Sequence, residues 1–153
     1  MSPKQQTPAG DRALKLDTQL CFALYSASLA MTRLYRDLLA ELDLTYPQYL
    51  VMLVLWEQDG VRVSDIGDRL HLDSATLTPL LKRLEQAGLV SRTRSTDDER
   101  SVIVALTDEG RALKGRASSV PGKVERATCL TGQQMDVLKG SLGQLRERLL
   151  EMV

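Results

Sequence analysis

Two residue types in this chain are spaced as though for chemistry: cysteine and tyrosine. The 153 residues hold only two cysteines, Cys21 and Cys129, and four tyrosines, Tyr25, Tyr35, Tyr46 and Tyr49, all in one early stretch. A thiolate is a strong nucleophile, and it oxidises through a sulfenic acid to a disulfide or to higher acids. Cys21 stands in LDTQLCFAL (16–24), on the apolar side of a predicted helix, and is open to two readings. A buried free cysteine is a small inert hydrophobe. Alternatively, Asp17 or Thr18 caps the helix and leaves Cys21 in its opening turns, where the helix dipole favours the thiolate. A helix beginning earlier, near Asp11, weakens that effect. Tyr35 follows Cys21 by fourteen residues, close to four turns, so both project from nearly one face about 21 Å apart. They cannot meet within one helix. Two copies crossing antiparallel near Ser28 would bring one chain's Cys21 towards the other's Tyr35, whose hydroxyl can donate a hydrogen bond to a thiolate.

Other chemistry is sparse. The sequence has no P-loop, no GxGxxG and no Ser/His/Asp set. Its one histidine, His71, has no second His and no Cys nearby, so it reads as a surface or phosphate-adjacent residue. No metal and no cofactor is expected. A general base beside Cys21 is likewise not evident, which argues against a thiol peroxidase.

Composition is that of an ordinary soluble protein, 43% hydrophobic and 26% charged, and the abundance of Leu over aromatics favours a mostly helical fold. The longest apolar run, YLVMLVLW (49–56), is too short to span a bilayer, so no membrane partner is expected. The first dozen residues are polar and rich in Pro, Gly and Gln. They read as a disordered tail (1–12) with no secretory signal, which makes the cytoplasm the expected compartment. Net charge is zero, and residues 61–106 hold seven Lys/Arg against seven Asp/Glu. Any nucleic-acid footprint must therefore come from arrangement and not from bulk charge.

The elements that would position these residues follow from periodicity. Leu20, Leu24, Ala27, Met31, Leu34, Leu38 and Leu42 recur at steps of three and four, predicting a long helix over 13–42. Thr45 and Gln48 form a capping box for a second, largely buried helix to about Gln58. Val61–Val63 reads as extended, and Ser64 as the cap of a short helix with Ile66 and Leu70 inward. A tight turn with a cap at Asp73 or Ser74 leads to a helix ending near Gln86, with Leu77, Leu80, Leu81 and Leu84 on its core face. Two such helices form a helix-turn-helix. LVSRTR and SVIVALT then read as strands joined by a polar turn, which after a recognition helix is a wing. Thr107 caps a further helix, broken or kinked at Pro121–Gly122, and Thr131 with Gln134 caps the last.

The segments LTPLLKRLEQAGLVSR (77–92) and DERSVIVALTDEG (98–110) resemble the recognition helix and wing signature of the MarR-type winged-helix regulators, and the likeness covers nearly all of the chain after the tail. The resemblance implies a mostly α fold with a small β wing. It further implies a single domain over 13–153, with dimerisation helices at 13–45 and 108–153 and a winged helix-turn-helix at 46–107. It also implies a homodimer reading a palindromic site on double-stranded DNA. The surplus of Leu in the first and last helices agrees with this. Ser74, Thr76 and Thr78 fall where short hydroxyls can approach base edges, and Ala75 and Pro79 can meet a thymine methyl. Lys82 and Arg83, further along the helix, suit phosphates. Arg100 corresponds to the family's minor-groove wing arginine, with Asp98 orienting it. Arg94 is a further candidate. It and Arg92 read equally well as solvated strand residues.

Within that family the chain resembles the organic hydroperoxide resistance branch, in which a reactive cysteine on the first helix is flanked by two tyrosines of the partner subunit. These carry over onto Cys21, Tyr35 and Tyr46. Cys129, in RATCLTG, corresponds to the resolving cysteine of the two-cysteine subtype. The expectation is a repressor that binds its operator when reduced and leaves it when organic hydroperoxide oxidises Cys21, with the disulfide forming between subunits. The alternatives are a regulator released by a phenolic or apolar ligand, an architectural DNA binder without a sensor, and the thiol peroxidase already disfavoured.

Overall fold

In the computed structural model, which describes residues 9–153, the first long helix is shorter than periodicity alone predicts. A short helix α1 (Ala9–Ala13) comes first, where part of a disordered tail was expected; residues 1–8 of that tail lie outside the described residues. A 3₁₀ turn follows at Leu16–Thr18, and only then α2 (Leu20–Leu39). The break has a local cause. The Thr18 hydroxyl donates to the carbonyls of Arg12 and Lys15, and the Gln19 amide donates to those of Ala13 and Lys15. Side chains thus take the carbonyls that a continuous helix would use. Neither Asp17 nor Thr18 caps α2: Gln19 is its extended N-cap residue, without a side-chain cap.

After a second 3₁₀ turn (Ala40–Leu42), Thr45 and Gln48 make the predicted capping box at α3 (Tyr46–Glu57), with Pro47 in the first turn. This helix buries Tyr49, Val51, Met52, Val54 and Leu55 and is the spine of the core. β1 (Val61–Arg62), α4 (Val63–Leu70), α5 (Ser74–Gln86), β2 (Val90–Arg94) and β3 (Val102–Leu106) build the winged helix around it. The sheet is antiparallel in the order β1-β3-β2, with Val61 opposite Val104 and Arg94 opposite Val102. Ser64 is not the cap of α4, because the chain leaves the sheet at Arg62 and turns helical at once. Ile66, Leu77, Leu81 and Leu84 lie wholly inside against Leu39, Met52 and Leu55. Truncating any of these leucines to Ala is expected to remove about 2–5 kcal/mol.

Thr107 caps α6 (Asp108–Ala117) by accepting from the Gly110 N–H. A side chain at Gly110 would collide with the Leu89 carbonyl, so the approach of α6 to the wing root needs glycine. The helix is broken as expected, a few residues before Pro121: α6 ends at Ala117 and α7 (Val120–Thr128) opens with Pro121 in its first turn, where its missing N–H has no partner to lose. Thr131 and Gln134 form the second predicted capping box, opening α8 (Gly132–Glu151).

The two long terminal helices are under-covered. α8 buries none of its residues and α2 only Leu39. Leu20, Leu29, Val137, Leu138, Leu142, Leu149 and Leu150 all stay exposed. Covering a Leu or Val side chain is worth about 1.5–3 kcal/mol, so these faces call for a partner surface. Among the described residues no single helix is long and apolar enough to cross a membrane.

Candidate thiol and nucleic-acid sites

Cys21 is the second residue of α2, and its free thiol is exposed. It reaches this N-terminal position without the predicted cap, in the first turn of the helix. The inert-core reading of Cys21 does not hold within one chain. Tyr25, one turn on, is exposed as well.

The tyrosines that the sequence ties to this sulfur stand elsewhere. Tyr35 of α2 stacks on Tyr46 of α3 with ring centroids 4.4 Å apart, and Tyr49 joins them at 5.7 Å from Tyr35. Trp56 meets Tyr49 edge-on at 6.4 Å. Burial, reinforced by the neighbouring phenols of Tyr46 and Tyr49, pushes the Tyr35 hydroxyl up to about 12. Burial also raises Tyr46 and Tyr49, the latter with help from Tyr46. All three phenols therefore keep their protons at neutral pH and are hydrogen-bond donors. Tyr49 was not singled out from the sequence. Its signal was there: it lies one turn after Tyr46, on a helix with an apolar interior face.

Fourteen residues of α2 separate Cys21 from Tyr35, about 21 Å along the axis. Sulfur and phenols therefore do not meet within one chain. Cys129, the C-cap of α7, takes a left-handed backbone at φ 55° and is exposed; its thiol points to the Arg126 carbonyl at 3.6 Å. A non-glycine residue held in that conformation stores strain, and it sits at the joint between α7 and α8.

The second constellation is the exposed side of α5 and the wing. Asp73 is the cap: its carboxylate accepts from the Thr76 N–H at 2.7 Å, which holds it below the usual carboxylate range. Ser74, Ala75, Thr76, Pro79, Lys82 and Arg83 are exposed on the helix it opens. Thr78 differs. It is half-buried and its hydroxyl donates to the Ser74 carbonyl at 2.7 Å, so it offers only an acceptor outward. Pro79 lies inside α5, and its missing N–H leaves the Ala75 carbonyl without its usual helical donor.

In the wing, the Ser95 hydroxyl accepts from the N–H groups of Asp97 and Asp98. Asp98 in turn accepts from the Arg100 N–H at 3.0 Å and the Ser101 hydroxyl at 3.2 Å. Asp98 thus positions Arg100 through the backbone, and among the described residues no ion pair joins the two side chains. Arg94 and Arg100 extend into solvent. Arg92 does not. Its N–H and guanidinium both bind the Glu85 carboxylate of α5, at 3.1 and 3.2 Å, and hold that carboxylate below its usual range. This brace fixes the wing against the recognition helix. Arg92 and Arg100 share a cleft of about 570 Å³ with Ser74, Thr78 and Arg62, a residue the sequence reading passed over. The Arg92 Nε is buried there without a hydrogen-bond partner. Three guanidinium groups thus line this cleft, together with the carboxylates of Asp68 and Asp73. His71 caps α4 in a left-handed conformation, φ 57°, and is exposed.

Comparison with known proteins places this architecture. The family model described as transcriptional regulator SarA/Rot matches residues 33–116. The HTH-type transcriptional regulator TtmR of Methylorubrum extorquens (strain PA1) is 52% identical over 139 residues, covering 91% of this chain and 71% of TtmR. The organic hydroperoxide resistance transcriptional regulator of Bacillus subtilis (strain 168) is 48% identical over 136 residues, covering 89% of this chain and 92% of its own. Reduced AbfR bound to DNA, a protein of Staphylococcus epidermidis, matches with a TM-score of 0.77 at 35% identity, covering 94% of this chain and 98% of that one. AbfR with its disulfide formed matches at 0.63 and 37% identity, covering 89% and 96%.

Proposed function

The chain belongs to the MarR-type winged-helix transcriptional regulators, and from that premise we propose that it is a repressor released from its operator when organic hydroperoxide oxidises Cys21. The observation that carries this reading is the division of the site. An exposed thiol opens α2, and four turns along the same helix Tyr35 joins the proton-bearing phenols of Tyr46 and Tyr49 on α3. Two copies crossing antiparallel through α2 would complete both sites at once. The exposed leucines of α2 and α8 supply the surface for such a dimer.

The Cys21 thiolate attacks the terminal peroxide oxygen, and the O–O bond breaks. The sulfur is oxidised by two electrons to the sulfenic acid, and the departing alkoxide takes a proton to become an alcohol. Tyr35 and Tyr46 of the opposing chain, protonated throughout, donate hydrogen bonds to the thiolate. The Cys129 thiol then condenses with the sulfenic acid, releasing water and forming the disulfide. Because Cys129 sits at the α7–α8 joint, capturing it displaces the arm on which the recognition helices are mounted.

On the DNA side, α5 enters the major groove with Ser74, Ala75, Thr76 and Pro79 towards bases, Thr78 as an acceptor, and Lys82 and Arg83 towards phosphates. Arg94 and Arg100, with Asp98 shaping the turn, carry the wing to the adjoining minor groove. The site of action is the cytoplasm, where the DNA is. The relatives named for organic hydroperoxide resistance and for reduced and disulfide forms support the redox reading. The test is a mobility shift on a duplex selected by the reduced protein. Cumene hydroperoxide should abolish the complex and dithiothreitol restore it, whereas a complex indifferent to oxidant removes the sensor.

A second reading has one observation behind it. An open, mostly apolar groove of about 310 Å³ between α3, α6 and the start of α7, lined by Tyr49, Leu53, Trp56, Glu57 and Lys114, has the size for a small phenolic or apolar ligand. Release of DNA by such a ligand from a Cys21→Ser variant would favour it.

A further inference from the structure

Leu106, the last residue of β3, lies beyond the strand that should flank it. β1 pairs with β3 only through Val61–Val104 and Arg62–Ile103. Continuing that register would place Asp59 opposite Leu106. Gly60, at φ 69°, turns the chain out of the sheet instead, and the side chain of Asp59 stands in for the missing backbone. Its Oδ1 accepts from the Leu106 N–H and the Gly60 N–H, both at 2.8 Å. Arg111 of α6 completes the substitution. Its Nη1 donates to the Leu106 carbonyl at 3.2 Å and lies 3.4 Å from Asp59 Oδ2, while its Nη2 is held by Asp108. An Asp–Arg pair thus holds both backbone groups of the wing's terminal residue.

Two helices run from this joint to the tyrosine cluster. α3 carries Tyr46 at its first residue and ends two residues before Asp59, about 18 Å away along a buried rod. α6 carries Arg111, receives a hydrogen bond on Gly110 from Trp56 Nε1 at 2.9 Å, and reaches back through Arg116 to the Glu41 carbonyl at 2.7 Å. From Leu106, β3 leads directly to Ser101 and the wing arginine Arg100. The pair itself is about half exposed, so solvent screens it and its worth as an ion pair is small. Its value is geometric.

We propose that Asp59 and Arg111 are positioning residues of the switch: they pass a displacement of the Tyr46 end of α3 to β3 and so to Arg100. This rests on the redox reading above. The experiment compares full-length wild type, Asp59→Asn, Arg111→Gln and Arg111→Lys in three measurements: the rate of Cys21 thiol loss under cumene hydroperoxide, and operator affinity before and after oxidation. All variants should lose the thiol within twofold of the wild-type rate. The ratio of reduced to oxidised affinity should fall at least tenfold in Asp59→Asn and Arg111→Gln, with the charge-conserving Arg111→Lys retaining more of it. A merely structural pair would lower both affinities together and leave the ratio alone. If Asp59→Asn does not fold, Arg111→Gln decides by itself, since it leaves the Asp59–Leu106 bond in place. A ratio reduced by less than tenfold in the folded variants overturns the joint and leaves the sensor standing. A wild type that keeps its operator after oxidation overturns the sensor, and the joint with it.

Discussion

Tyr35 and Tyr46 stack at 4.4 Å across two helices, yet the sulfur that both are read to serve lies about 21 Å from Tyr35 on its own helix. On the proposed reading the site is divided, half at each end of α2, and a second copy would close it. A hydroxyl that donates to a thiolate favours the charged form. Removing it in Tyr35→Phe or Tyr46→Phe should slow Cys21 oxidation by at least severalfold, measured as thiol loss under limiting hydroperoxide, with reduced-state operator affinity unchanged. An unaltered rate would separate that tyrosine from the sulfur.

The same stack has an alkaline signature. A phenol ionising at about 12 in the fold and near 10 when unfolded stabilises the fold in its neutral form. Its contribution is complete below pH 10 and is lost as pH rises towards 12. The melting temperature should drop across that window, and Tyr35→Phe should make the drop shallower. Equal steepness in both proteins would mean that Tyr35 is not the buried phenol.

Arg100, like Arg94, is an exposed cation of the wing with no ion-pair partner among the described residues. Replacing it by Ala removes a groove contact and should weaken operator binding by about 1–3 kcal/mol. The Asp98→Ala change should reproduce part of that loss, because Asp98 holds the Arg100 backbone and not its guanidinium. Full affinity for Arg100→Ala at physiological salt would take the wing out of the interface.

Much of this fold was legible because its signals are local. Thr45 with Gln48, Thr131 with Gln134 and the Asp73 cap each act within one turn, and the alternation of Val102, Val104 and Leu106 marks a strand whose neighbours need not be known. The misses are competitions between local signals or contacts at a distance. The repeat itself spans 20–42, and the helix predicted to start at 13 is broken just ahead of it, where Thr18 and Gln19 capture the preceding carbonyls. Pro121 marks the break between α6 and α7 but not on which side of it the residue falls. Arg92 in a polar strand looks solvated until the fold lays Glu85 beside it, and Tyr49 gains meaning only when Tyr35 packs against it. The proposed pairing of sulfur with phenol came from the fourteen-residue spacing of Cys21 and Tyr35 and from the family likeness, which alone brought in Tyr46, since neither residue is near the other in one chain.

The exposed face of α5 predicts a separation of effects. Ser74→Ala or Thr76→Ala should narrow the gap between operator and random duplex, since base edges carry the sequence information. Lys82→Ala should weaken both alike and reduce the salt slope by about one. Thr78→Val should act less than either hydroxyl change, because its proton is already given to the Ser74 carbonyl. Uniform losses across the set would put the helix in a different register on the groove.

The two cysteines decide how the oxidised state is held. Both thiols are free and exposed in one chain, at opposite ends of the arm-forming segments, Cys21 opening α2 and Cys129 closing α7. If α2 and α8 interleave with those of a second copy, peroxide should link chains to each other, giving a band at twice the 17.0 kDa chain mass on a non-reducing gel. Cys21→Ser should bind operator and ignore peroxide. Cys129→Ser should reach the sulfenic acid, give no crosslink, and pass on to sulfinic and sulfonic acids, detected as mass gains of two and three oxygens. A bridge needs α-carbons within about 7 Å, and Cys129 is held at a strained left-handed joint from which it can be drawn. A protein with both thiols consumed that still runs as a monomer would place the bridge within one chain and exclude the interleaved arrangement. Operator release from oxidised Cys21→Ser would remove Cys21 as the sensor altogether.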